Sequence, residues 1–357
     1  MNRPELRPLT SIRGLFAWAV VLYHIRLACL GWLPLPVIHG LAKGYLAVDV
    51  FFLLSGFVIW LNYGERLRGR RAAADFLVRR IARIWPLHAA MLAFALALAL
   101  LLLATGRPAW NFPFAELPLQ VAMMQNWGFT TRLTWNDPAW SISCELAAYL
   151  LLPGFALLID WRRVRTPLLL LVILGLALLL HLVFASTGAT MLGAHILQLG
   201  VPRCLVEFAI GTVLCELWRR WRGQLAVAAG AVATAVAIAP LGLPETFAIP
   251  LIFAALLLAA AVTAETPANP LGLRPLHYLG EISYATYLSH VLLFRLFKLA
   301  FVTDQWNVGA GAIAAFAAIV LIASILLHHM VERPAQQWIL RRWRGRQTHR
   351  PSLAAGG

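Results

Sequence analysis

Residues 13–33 read RGLFAWAVVLYHIRLACLGWL, and the fold turns on whether this run is a cleaved leader or a permanent part of the protein. It is longer than the roughly 7–15 apolar residues of a signal-peptide core, lacks a small-residue cleavage site, and carries Tyr23, His24 and Arg26 within it. About 20 apolar residues suffice to cross some 30 Å of bilayer hydrocarbon, so the run is expected to persist as a first transmembrane helix. Nine further spans of similar character follow at 45–63, 85–104, 139–160, 166–185, 195–218, 224–241, 246–264, 280–302 and 308–331. The composition agrees: 61% of the 357 residues are hydrophobic, 13% are charged and the mean hydropathy is +0.75, which excludes an ordinary water-soluble domain. The expectation is an all-α polytopic membrane bundle of about ten helices, with a transmembrane domain over 1–340 and a basic tail over 341–357.

A net charge of +15 would raise the question of nucleic acid in a soluble chain. Here the positions of the arginines answer it, because cytoplasmic loops of membrane proteins collect Lys and Arg. Arg3, Arg7 and Arg13 precede or open the first span, and a dense group from Arg66 to Arg83 follows the second. Arg162, Arg163 and Arg165 follow the fourth, Arg219, Arg220 and Arg222 the sixth, Arg274 the eighth, and Arg333 to Arg350 the tenth. The outer segments hold only Lys43, Arg107 and Arg132. This alternation predicts ten helices with both ends cytoplasmic in a bacterial inner membrane, and no nucleic-acid partner. Cys29, Cys144, Cys204 and Cys215 lie in apolar context without a CxxC pair, so they read as small buried hydrophobes rather than disulfides, and no metal site is expected. The outer segment 105–138 is rich in aromatic residues and its short apolar piece 117–124 cannot span, which suggests either a re-entrant lid or an interfacial aromatic belt.

An ionisable group inside a membrane helix costs at least about 2.5 to 3.5 kcal/mol and therefore marks a candidate site. Arg13 and His24 are eleven residues apart; at about 100° per residue they share one helix face, separated by about 16 Å along the axis. His24 is suited to take a proton from a hydroxyl and return it, although a lone membrane histidine often serves only as an interhelical hydrogen-bond partner. Asp49 reaches a similar depth and could orient that imidazole, or pair instead with Lys43 or Arg26. Glu145 could assist proton transfer, bind an acceptor, or cap a buried arginine. On the inner side, Arg79, Arg80 and Arg83 recur at helical spacing and suit phosphate binding, beside the simpler reading of positive-inside anchoring. His277, His290, His328 and His329 read as structural.

Six motifs in order resemble the acyltransferase-3 family: LTSIRGLFA at 9–17 followed by His24, DVFFLLSGF at 49–57, the arginines from Arg79 to Pro86, WSISCE at 140–145, LGEISYATYLSH at 279–290, and Glu332-Arg333-Pro334. That resemblance implies an enzyme in which acyl-coenzyme A, with acetyl the commonest acyl group, enters from the cytosol and His24 is required for transfer. It makes Arg13, Arg79, Arg80 and Arg83 candidates for donor contacts and places Trp140 and Ser141 on the acceptor side. The acceptor would be a hydroxyl of a carbohydrate or glycolipid, and no bound cofactor is expected. Many relatives carry a fused extracytoplasmic hydrolase-like domain; this chain is expected to work without one. Direct attack on the thioester is the simplest route, with a transient acyl group on His24, Ser141 or Ser143 as the alternative. The rival class is a proton-coupled carrier using His24, Asp49 and Glu145 as a relay, which the absence of a visible internal repeat disfavours.

Overall fold

The computed structural model describes residues 6–266, 269–302, 304 and 306–348. Arg3, Arg350 and the end of the basic tail lie outside them. In chain order the α-helices are α1 (Arg7–Ile25), α2 (Leu35–Ala42), α3 (Ala47–Tyr63), α4 (Arg70–Ala104), α5 (Leu117–Val121), α6 (Ala139–Leu158) and α7 (Thr166–Ala185). They continue with α8 (Ile196–Trp221), α9 (Leu225–Ile238), α10 (Glu245–Val262), α11 (Arg274–Glu281), α12 (Ser283–Phe301), α13 (Ala310–Leu327) and α14 (Arg333–Thr348). No strand occurs among the described residues, as expected where a bilayer leaves backbone groups only the helix to satisfy them.

Each of the ten expected spans is helical. Eight helical segments among the described residues are long and apolar enough to cross a membrane. The other two spans are α9, which the turn Ala239–Leu241 extends, and α12, whose apolar run is interrupted by His290, Arg295 and Lys298. Pro8 and Pro167 sit in the first turns of α1 and α7, where the missing N–H costs nothing. On α7, Leu168, Leu171, Leu174, Leu178 and Leu182 are exposed, the face a helix presents to lipid rather than water.

At the centre α3 packs on α8 with backbones almost touching. A Cβ on Gly56 would stand 2.0 Å from the Phe208 carbonyl oxygen, and one on Gly211 would stand 2.1 Å from that of Leu53. Small residues permit such approach, and close packing drives association where no hydrophobic effect operates. A second close contact joins α1 to α11: a Cβ on Gly280 would meet the Thr10 carbonyl at 1.9 Å, and one on Gly14 the Gly280 nitrogen at 2.6 Å. Through it α12, which follows α11 directly, is fixed in register against α1.

The outer segment 105–138 is neither a plain belt nor a span. It folds inward: Trp135 is fully buried, as are Gln120, Asn126 and Asn136. The His88 ring hydrogen-bonds the Gln120 carbonyl (2.7 Å), while Asn136 donates to the Leu288 carbonyl on α12 (2.8 Å). On the opposite side, the exposed loop after α6 holds Asp160, whose carboxyl drops to about 2 because Arg162 donates to it. Helix α14 runs unbroken through residue 340. A π-turn, His328–Glu332, joins α13 to α14, and Trp343 of α14 donates to Asp75 of α4 (3.1 Å).

Candidate active site

Three residues on one stripe of α12, at positions 283, 287 and 290, meet three of the polar residues singled out above. Steps of four and three residues place them on one helix face. Ser283 accepts from Arg13 Nε (3.2 Å), and Arg13 Nη2 also donates to the Gly280 carbonyl (2.9 Å). The Tyr287 hydroxyl is 2.8 Å from Ser141 Oγ. His290 Nε2 is 3.1 Å from His24 Nδ1. The face of α1 expected to carry both Arg13 and His24 is therefore the face turned to α11 and α12.

The hydrogen bonds around the two imidazoles assign their protons. His24 Nδ1 lies 2.9 Å from the Val20 carbonyl, and His290 Nδ1 lies 3.1 Å from the Thr286 carbonyl. A carbonyl only accepts, so each Nδ1 carries a hydrogen. His290 Nε2 then offers a lone pair to the same His24 Nδ1–H, shared with the Val20 carbonyl, and the lone pair of His24 is left on Nε2. His290, read as structural from sequence, is thus the direct partner of His24. The signal was its place on the stripe with Ser283, which becomes informative only once Ser283 is known to hold Arg13.

A cavity of about 390 Å³ opens among α1, α3, α4, α6 and α12. Its polar lining includes Arg13, Arg80, Arg83, Glu145, Ser55 and Tyr149, and Phe51, Ser141 and Tyr287 also line it. Arg83 is paired with Glu332 from the π-turn, and its guanidinium carbon lies 5.5 Å from the Tyr284 ring centroid. Arg80 covers the Tyr63 ring at 5.4 Å, and its Nε is buried without a hydrogen-bond partner among the described residues. Such a donor is expensive to leave unmade and suits an incoming anion. The two histidines do not line the cavity. The Tyr287 ring does, and its centroid is 6.2 Å from that of His290.

Several expected placements differ. Asp49 orients no imidazole and pairs with neither Lys43 nor Arg26. Arg203 of α8 holds it through two bonds, 2.7 Å and 2.6 Å, with both side chains buried. A carboxylate out of water needs a full opposite charge with matching geometry, which guanidinium supplies and neutral imidazole does not. Glu145 faces the cavity, where it accepts from Ser55, so it sits with the arginines rather than with His24. Arg79 turns away to Asp75 (2.7 Å), one helical turn back on α4. Trp140 lies against Arg203 (5.8 Å) and Phe52 (6.1 Å), outside the cavity, while Ser141 lines it.

Comparison with known proteins converges on one family. The acyltransferase-3 profile, described as an acyltransferase domain, matches residues 9–329. Over 374 aligned residues the chain is 30% identical to "Acyltransferase MdmB" of Streptomyces mycarofaciens, covering 95% of this chain and 93% of that one. It is 28% identical to "Exopolysaccharide production protein ExoZ" of Rhizobium meliloti (strain 1021), covering 87% and 93% respectively. A shorter match, 44% over 68 residues, joins 19% of this chain to 36% of "Protein 2 in picA locus" of Rhizobium radiobacter. No solved structure matches.

Proposed function

This chain belongs to the acyltransferase-3 family of acyl-transferring enzymes, and we propose that it moves an acyl group, acetyl in the simplest case, from coenzyme A to a hydroxyl of a carbohydrate or glycolipid at the bacterial inner membrane. The observation that supports this reading is the 3.1 Å contact between His24 Nδ1 and His290 Nε2, since a hydrogen on His24 Nδ1 would leave the Nε2 lone pair to act as base. The donor's phosphates would rest against Arg13, Arg80 and Arg83, with the pantetheine arm running toward Tyr287. Volume supports this role, since ligand cavities are commonly about 300–1,000 Å³. The name of ExoZ points to polysaccharide and supports a carbohydrate acceptor.

Because the two histidines stand behind Tyr287 rather than in the cavity wall, the thioester must pass Tyr287 to bring its carbonyl carbon within reach of His24; there the acceptor oxygen attacks it while His24 Nε2 takes its proton. As the imidazole becomes charged, its bond to His290 Nε2 strengthens, so His290 fills the orienting role first sought in Asp49. Collapse of the intermediate breaks the C–S bond, and His24 returns the proton to the coenzyme A sulfur. The transporter reading loses its relay, because His24, Asp49 and Glu145 each engage a different partner.

The test is membranes from expressing cells incubated with acetyl-labelled coenzyme A. Label is expected in an alkali-labile carbohydrate or glycolipid fraction. It should fall by about 10² or more in His24→Ala, the scale of general base catalysis, with the variant's elution on size exclusion unchanged. Undiminished transfer by a well-folded His24→Ala protein would overturn the assignment.

A further inference from the structure

Between the guanidinium groups and the histidine pair lies a single rung of α12. Ser283, against Arg13, and His290, against His24, are seven residues or about 10 Å apart along the helix axis, and Tyr287 stands between them on the same stripe. Tyr287 lines the cavity, and its ring centroid lies 5.6 Å from that of Phe51 and 6.2 Å from that of His290. Ser141 Oγ, its partner, is 3.2 Å from the Pro138 carbonyl and donates to it. Ser141 therefore accepts from Tyr287, and the Tyr287 proton is bound at rest only to a neutral hydroxyl, from which rotation about the C–O bond can redirect it.

Resting on the acyl-transfer reading, we propose that Tyr287 is a catalytic residue whose hydroxyl, positioned by Ser141, donates a hydrogen bond to the oxyanion formed on the thioester carbonyl. Attack by the acceptor oxygen pushes the carbonyl π pair onto oxygen as the acceptor's proton passes to His24. The negative charge then grows beside Tyr287 O–H and is released when the C=O bond reforms and the C–S bond breaks. A donor aimed at charge that exists only in the transition state lowers the barrier without tightening donor binding.

Removing one such donor costs about 10² to 10³ in turnover, so Tyr287→Phe is expected to lose that much transfer from labelled acetyl-coenzyme A. Its affinity for a ketone analogue of acetyl-coenzyme A, which binds but cannot transfer, should stay within about twofold of wild type. Fluorotyrosines incorporated at 287 keep the hydroxyl and the packing, and the rate is expected to follow the acidity of the substituted phenol. This series decides the matter even if Tyr287→Phe fails to fold. A rate that ignores phenol acidity would overturn the proposal. So would a Tyr287→Phe protein that transfers normally, or one that transfers normally while hydrolysing the thioester without acceptor, since that residue would be a gate. If wild type itself transfers no label, the acyl-coenzyme A reading fails; if only the His24 variant is inactive, that reading stands and the role of Tyr287 falls.

Discussion

A carboxylate inside a membrane bundle needs partners for both of its oxygens, and for Asp49 the guanidinium of Arg203 supplies both. Sequence shows both residues within spans, yet it cannot show that they meet, because they lie 154 residues apart. This is why depth alone suggested an imidazole as the partner. The same reasoning predicts what the pair does. Asp49→Asn removes the carboxylate that accepts both Arg203 bonds and leaves only Glu207, buried beside the pair, to balance the guanidinium; breaking a buried pair typically costs about 3–5 kcal/mol. Thermal unfolding in detergent should therefore drop strongly for Asp49→Asn, whereas the double change Asp49→Leu with Arg203→Met should recover much of it. Retained stability with abolished transfer in Asp49→Asn would instead return Asp49 to the reaction.

Helix α1 carries the base and α12 carries its partner, so their register sets the distance between the two imidazoles. That register depends on Gly14 and Gly280, where neither backbone leaves room for a Cβ. Gly280→Ala must push α11 away from Thr10 and, with it, displace α12 against α1. The His24–His290 contact, 3.1 Å at present, would lengthen beyond a useful bond. Acyl transfer is expected to fall at least tenfold, since misplacement by about 1 Å can cost as much as 10²-fold, although position 280 touches no reacting atom. Gly154→Ala, whose new Cβ meets nothing within 4 Å, should be silent in the same assay. Equal activity in the two variants would show that the glycine contact does not set the site. The position of α1 as a helix was plain from its apolar length, and its shared Arg13–His24 face followed from spacing alone. The partner across that face was not, because spacing within one helix says nothing about which neighbour it meets.

At the scale of the whole molecule, the run of arginines at alternate loops orients the bundle, and orientation decides from which compartment the donor must come. The spans could be located because most are apolar over a length the bilayer sets locally; α9, which is short, and α12, whose apolar run is interrupted by charge, meet that requirement less fully. The cavity could not, since α1, α3, α4, α6 and α12 contribute its walls and only folding brings them together. If the arginine-rich loops are cytoplasmic, the part of the cavity wall that carries Arg80 and Arg83 lies toward the compartment that holds acyl-coenzyme A. The four native cysteines are buried, which gives a low background for testing this. In intact cells a membrane-impermeant maleimide should label Leu243→Cys, in the loop between α9 and α10, and leave Arg163→Cys, between α6 and α7, unlabelled until the membrane is broken. Both positions are exposed, so accessibility alone would not distinguish them. The reverse pattern would place the guanidinium cavity outside the cell, where no pool of acyl-coenzyme A exists, and the direction of transfer derived from it would have to be abandoned.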